Sequence, residues 1–278
     1  MRSNVFLERS EYEKSIMFDV LNVIDGACKN SFEACEMKEY SLLKKDTYNQ
    51  YNHIFELARK YDDSIAAAMY IPESQSPEDK YTVLYKVLVF DKMINFSSYE
   101  DLIKFIENLD RETGTELIMK YCLYMEQKAI PEDFIPSIIR SQNMFSISLF
   151  NDTKLPQKIK FSLATLIFNY KRFLSELVNY LNKIYEAVKD LYEKHRENYR
   201  YSSKLLREYL KVSSAEMLLS FDTQEKLFLS NTTRKYILVV SMLRLEYGLV
   251  AYDNNKAIFI KGVFSIQRIL HDINFKIF

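Results

Sequence analysis

The sequence predicts a mainly α protein: a multi-helix domain built along one long helix, with a small antiparallel β-meander near the C-terminus. Three observations carry that expectation. The 278 residues include only four Gly and five Pro, against roughly nineteen and fourteen at ordinary usage, so turn-rich β architectures and Gly-rich phosphate loops are disfavoured together. Residues 161–199 repeat apolar side chains at helical spacing without a Gly or Pro. Residues 224–262 instead hold short β-branched and aromatic runs separated by turn residues.

The first element is a helix over residues 11–25, with Tyr12, Ile16, Met17, Val20, Leu21, Val23 and Ile24 on one face and Gly26 as its stop. Helical patterns continue over 31–43 and 47–60. Ile71-Pro72 and the polar loop 73–79 make the clearest break of the first half. Residues 81–90 (YTVLYKVLVF) fit a strand or a buried helix, and the scarcity of turns around them favours the helix. Ser97-Ser98 before Glu100 and Asp101 reads as an N-cap: a hydroxyl can satisfy free backbone amides, and carboxylates suit the first turn. The helix it opens, 99–109, buries Leu102, Ile103, Phe105, Ile106 and Leu109. Thr113-Gly114 separates it from a helix over 116–127, and Pro131 and Pro136 bracket a turn.

The long helix follows. Leu163, Leu166, Ile167, Tyr170, Phe173, Leu174, Leu177, Val178, Leu181, Ile184, Tyr185, Val188, Leu191, Tyr192 and His195 form one face. Lys171, Arg172, Glu176, Lys183, Glu186, Lys189, Asp190, Glu193 and Lys194 form the other. At about 1.5 Å per residue such a helix spans roughly 50 Å or more, so other elements must pack along it. A basic helix over 200–212 comes next, then β runs at 226–230, 235–242, 247–252 and 256–261, with Asp253-Asn254-Asn255 as a hairpin turn. The last segment, 263–278, places Ile266, Ile269, Leu270, Ile273, Ile277 and Phe278 on one helical face. Three regions result: acidic helical 1–139, long-helix 140–223, and meander with terminal helix 224–278, all three compatible with one domain.

Net charge is zero but unevenly placed: residues 1–139 carry 25 acidic and 16 basic side chains, and residues 140–278 the remaining 13 and 22. The halves are thus −9 and +9, which lets them attract one another or meet different partners. No run of eighteen apolar residues occurs and the N-terminus has no apolar core segment, so the expectation is a cytoplasmic protein without membrane spans. Cys28, Cys35 and Cys122 form no Cys-x-x-Cys pair, and His53, His195 and His271 form no His-x-x-x-His. No metal site, cofactor site or catalytic group is predicted, and the expectation is a protein that is not an enzyme. The one chemistry-bearing cluster is basic: Lys194, Arg196, Arg200, Lys204, Arg207 and Lys211, interleaved with Tyr199, Tyr201 and Tyr209 and opposed by Glu197 and Glu208. Cations at near-helical spacing can neutralise phosphates while tyrosines stack, or can form a solvated face that meets a protein partner.

The segments SSYEDLIKFIENLD, FNYKRFLSELVNYLNKIYEAV and RKYILVVSMLRLEYGLVAYDNNKAIFIKG, closed by SIQRILHDINFKIF, occur in that order. Together they resemble the N-terminal effector region of long ArsR-like winged-helix transcriptional regulators of low-GC bacteria. The resemblance implies an effector-sensing or dimerisation module, a homodimer, an unknown effector, and DNA contact through a winged helix beyond or at the C-terminus. No family metal site carries over, because no Cys or His pair matches one. A second version makes 224–262 a degenerate winged helix with residues 253–255 at the wing tip. The alternative from another class is a helical protein–protein interaction adaptor of phage or mobile-element origin.

Overall fold

The computed structural model describes residues 6–9, 12–29, 45–60, 70–72, 80–82, 96–115, 157–212, 235–243, 247–251, 256–263 and 266. The architecture is mainly α. Six helices are α1 (Tyr12–Lys29), α2 (Lys45–Arg59), α3 (Tyr99–Glu107), α4 (Gln157–Phe168), α5 (Tyr170–Lys194) and α6 (Arg196–Val212). The strands are β1 (Phe6–Arg9), β2 (Tyr70–Pro72), β3 (Lys80–Thr82), β4 (Lys235–Ser241), β5 (Tyr247–Ala251) and β6 (Lys256–Gly262). The expected helices over 31–43 and 116–127, the turn at Pro131 and Pro136 and the strand at 226–230 lie outside the described residues.

Two compact units emerge, each assembled from separate stretches of chain: residues 1–20, 35–52 and 185–278 in the first, and 21–34 and 53–184 in the second. Helices α1, α2 and α5 each give residues to both.

The long amphipathic pattern folds as α4, α5 and α6 in succession. Backbone bonds of the i→i−4 kind continue through the two junctions, from Asn169 N–H to the Thr165 carbonyl (3.0 Å) and from His195 N–H to the Leu191 carbonyl (3.1 Å). The predicted inner face is buried from Leu166 to Tyr192, and its charged face is exposed or half-buried. A stripe this wide reflects the energy of removing apolar area from water, about 25 cal/mol per Å².

Helix α1 departs from its expectation in two ways. It runs through Gly26 to Lys29, because a glycine inside a helix costs only about 1 kcal/mol and does not end it unaided. It is also buried on every side from Ser15 to Ile24, so its polar residues Ser15, Asp19 and Asn22 lie inside the protein.

In the second unit, α3 opens as its cap predicts. Ser98 Oγ accepts from the Asp101 N–H at 3.2 Å, and Asp101 Oδ2 accepts from the Ser97 N–H at 3.2 Å. Tyr99 donates to Asn182 Oδ1 (2.9 Å) and Tyr180 to the Ala58 carbonyl (2.5 Å), which anchors α5 to α3 and α2 by hydroxyls at the rim of the apolar face. Residues 111–115 form a helical turn with Gly114 buried in it. A Cβ there would meet the Tyr170 ring, its Cζ at 2.6 Å and its hydroxyl closer still. Tyr81 and Thr82 belong to a strand instead of the expected helix: β3 pairs antiparallel with β2, Tyr70 opposite Thr82 and Pro72 opposite Lys80. Pro72 is tolerated because it sits at the end of a two-stranded ladder, where a missing donor costs least.

The C-terminal sheet exists where the sequence placed it, but it is not an antiparallel meander. Its order is β1-β4-β6-β5. Strand β4 pairs in parallel with β1, Phe6 opposite Lys235, and in parallel with β6, Lys235 opposite Lys256. Only β5 and β6 pair antiparallel, Tyr247 opposite Lys261, around the predicted turn at 253–255, whose residues lie outside the described set. The reason is in the composition of β4. Leu238, Val239, Val240 and Ser241 are all buried, the continuous burial of a strand covered on both faces and flanked on both edges, which parallel pairing provides. Beyond β6, Val263 and Ile266 are buried, and the rest of the expected terminal helix is outside the described residues.

Candidate functional site

The structure gathers the polar interior of the first unit around one carboxylate. Asp19 is fully buried on α1 and faces the bend that follows β4. Ser241 donates its hydroxyl to Oδ1 at 2.5 Å. Oδ2 accepts from the Tyr192 hydroxyl at 2.7 Å, the Met242 N–H at 2.8 Å and the Leu243 N–H at 3.1 Å. Two successive amides aimed at one oxygen form an anion-holding concavity, and here the anion is a side chain of the same chain. Tyr51 of α2 closes the bend from the other side by donating to the Met242 carbonyl. Four elements therefore meet at three residues, 241–243.

The tyrosine that reaches Asp19 belongs to an aromatic trio. Tyr12, Tyr192 and Tyr199 stand with ring centroids 5.1 to 5.5 Å apart, and both pairs that include Tyr12 are edge-to-face, the arrangement that ring quadrupoles favour. Ser15 Oγ and the Tyr199 hydroxyl share a hydrogen bond of 3.1 Å. Arg196 lies over the Tyr12 ring at 5.8 Å. On α6, Ser202 donates to the Val263 carbonyl at 3.3 Å, which ties the end of β6 to the helices.

Burial sets the electrostatics. Desolvation pushes the Asp19 carboxyl above its ordinary 3.8, although the bonds from Ser241, Tyr192, Leu243 and Met242 oppose it. Tyr192 is raised well above 10.0 by burial and by the Asp19 charge, and Tyr51 is raised by the same two causes. Both phenols are therefore donors at neutral pH. His195 is lowered by burial and by Lys194, and its Nε2 is buried without a partner.

Four of the six basic residues predicted for a partner-facing surface are engaged locally. Lys194 is exposed, the exposed Arg196 turns to Tyr12, and Arg207 donates from Nε to the Ser203 carbonyl at 3.4 Å. Arg200 pairs with Glu197 at 2.8 Å and Lys204 with Glu208 at 3.9 Å. The Lys211 side chain lies outside the described set. Tyr201, 55% exposed, stands among them. The structure thus brings Arg200, Tyr201 and Lys204 to one exposed helix face, but exposed pairs of this kind hold each other only weakly. Among the described residues no group of three or more His, Cys, Asp or Glu is arranged to hold a metal ion, and no helix is long and apolar enough to cross a membrane.

Sequence reading did not find Asp19. Its spacing hides it: Ser15, Asp19, Asn22, Asp25 and Lys29 share one helical face in the sequence pattern, which reads as a solvated face opposite the apolar one. No protein-family model matches the chain, and neither a curated protein nor a solved structure matches it.

Proposed function

We propose that this chain is the regulatory module, effector-sensing or dimerising, of a bacterial transcriptional regulator. It is not an enzyme in this reading, and operator contact belongs to a winged helix at or beyond its C-terminal part. The observation that carries the reading is the tether at the end of β6: Val263 is buried and its carbonyl accepts from Ser202 of α6. Residues 265–278 are those that resemble the lead-in to a winged helix, so a change in the helices has a covalent route to that lead-in. The unknown effector would act on the aromatic-rich helices, and the dimer would form along them.

Light scattering on the eluting chain should give a mass of twice 33.1 kDa, and the chain alone should bind duplex DNA weakly, without sequence preference. Tight, selective binding by this chain would reject the module reading in favour of a self-contained DNA binder. A protein-binding adaptor is the second reading, favoured by Phe161 and Phe168, 61% and 37% exposed on one face of α4 with exposed Thr165 between them. A monomer that retains a protein partner, and loses it in the Phe161→Glu/Phe168→Glu variant, would support the adaptor.

A further inference from the structure

The four groups that bond Asp19 are neutral, and they come from α5 and from the bend after β4. Among the described residues, the titratable groups facing it are Tyr192 from α5 and Tyr51 from α2, with Tyr199 of α6 one ring behind Tyr192. Arg196, the cation that reaches this cluster, is spent on the Tyr12 ring. A buried carboxylate held only by dipoles keeps a desolvation cost that a counter-charge would offset. Its neutral form avoids that cost and still fits the same partners. A proton on Oδ1 would donate to Ser241 Oγ, which becomes the acceptor, while Oδ2 goes on accepting from Tyr192, Met242 and Leu243.

We propose that Asp19 is a proton switch built into the first unit: it takes up a proton from solvent without leaving its seat and reverses the Asp19–Ser241 hydrogen bond, so that the folded chain is favoured more in acid, where the buried charge is gone, than at neutral pH. The direction follows from burial, which raises the folded-state value above the ordinary 3.8. The folded chain then binds more protons than the unfolded one between those two values. The stabilisation is complete below 3.8 and is lost as pH rises through the folded value. This does not depend on the chain's being part of a transcriptional regulator, since it rests only on burial and hydrogen bonding.

The full chain carrying ¹³C at aspartate carboxyls tests it directly, with the Asp19 resonance assigned by its loss in Asp19→Asn. The expected titration midpoint lies above 3.8; a midpoint at or below that value overturns the proposal. Asp19→Asn supplies the second reading. Its amide oxygen can occupy the Oδ2 position and its NH2 can donate to Ser241, so it imitates the protonated acid. Urea unfolding from pH 4 to 8 should show the variant gaining on the wild-type chain as pH rises, by at most about tenfold in the folding constant per pH unit within the window. A gap that does not change with pH would also overturn the switch. Should the variant fail to fold, the wild-type titration decides, with assignment by through-bond correlation.

Discussion

At the scale of single residues, two buried polar groups make opposite predictions because one is satisfied and the other is not. Removing the Asp19 carboxylate by Asp19→Ala would take an acceptor from a serine hydroxyl, a tyrosine hydroxyl and two backbone amides in a dry interior, leaving Tyr192 with its longer bonds to the Val240 carbonyl and the Met242 N–H, both 3.3 Å. Each unsatisfied group costs about 1–3 kcal/mol, with some relaxation shared among neighbours. We expect a loss of at least about 3 kcal/mol in urea unfolding, with Asp19→Asn far milder. Tyr170 is the reverse case: its hydroxyl is buried without a partner against Gly114. Burial accordingly raises its pKa, so at neutral pH it is an unpaired O–H. Tyr170→Phe should therefore be neutral or stabilising by up to about 1 kcal/mol, since nothing is lost but an uncompensated dipole. Gly114→Ala should cost about 1–3 kcal/mol by overpacking. Tyr170→Phe should recover part of that cost, because the hydroxyl is the atom a Cβ would meet first. Thermal unfolding of the two single variants and the double measures that coupling.

At the scale of elements, the start of α3 offers the cleanest test. Ser98→Ala removes the oxygen that accepts from the Asp101 N–H and should lower stability by about 1 kcal/mol, read as a shift in urea midpoint without a change in slope. That cap was legible in the sequence because its cause is local: hydroxyl, spacing and carboxylate lie within four residues. The face of α5 was legible for a similar reason, since burial at period 3.6 writes itself into composition. What decided the remainder was not local. Parallel pairing of β4 with β1 joins residues more than 220 apart, and no turn signal records it. The apolar run of β4 was consistent with either pairing, and proximity to Asp253-Asn254-Asn255 favoured the antiparallel one, correctly for β5 and β6 only. Asp19 was illegible on the same ground, because its partners sit at 192 and 241–243. The basic helix was legible as charge, but its carboxylate pairings at Arg200 and Lys204 depend on rotamers.

At the scale of the whole molecule, the dependence of stability on pH combines the buried Asp19 with the half-buried His195, two groups of opposite sign. Asp19 is raised, so its contribution falls as pH climbs above 3.8. His195 is lowered by burial and by Lys194, so the folded chain holds it neutral. Its contribution is present above 6.5 and is lost as pH falls through the folded-state value. Where the two windows overlap, above 3.8 and below 6.5, the two oppose each other, and the wild-type profile is flatter there than either group alone would make it. Asp19→Asn removes the first and leaves the second, so its stability should rise with pH more steeply than that of the wild-type chain. His195→Gln does the reverse: with Asp19 unopposed, stability should decline toward neutral pH relative to the wild type. Urea midpoints at half-unit steps give both slopes. If the two variants deviate from the wild-type profile in the same direction, one of the two assignments is wrong, and the carboxyl titration of Asp19 identifies which. If they deviate in opposite directions, the first unit carries a proton-sensitive interior whose two halves sit on α1 and at the α5–α6 junction, with Tyr192 one turn before His195 and hydrogen-bonded to Asp19.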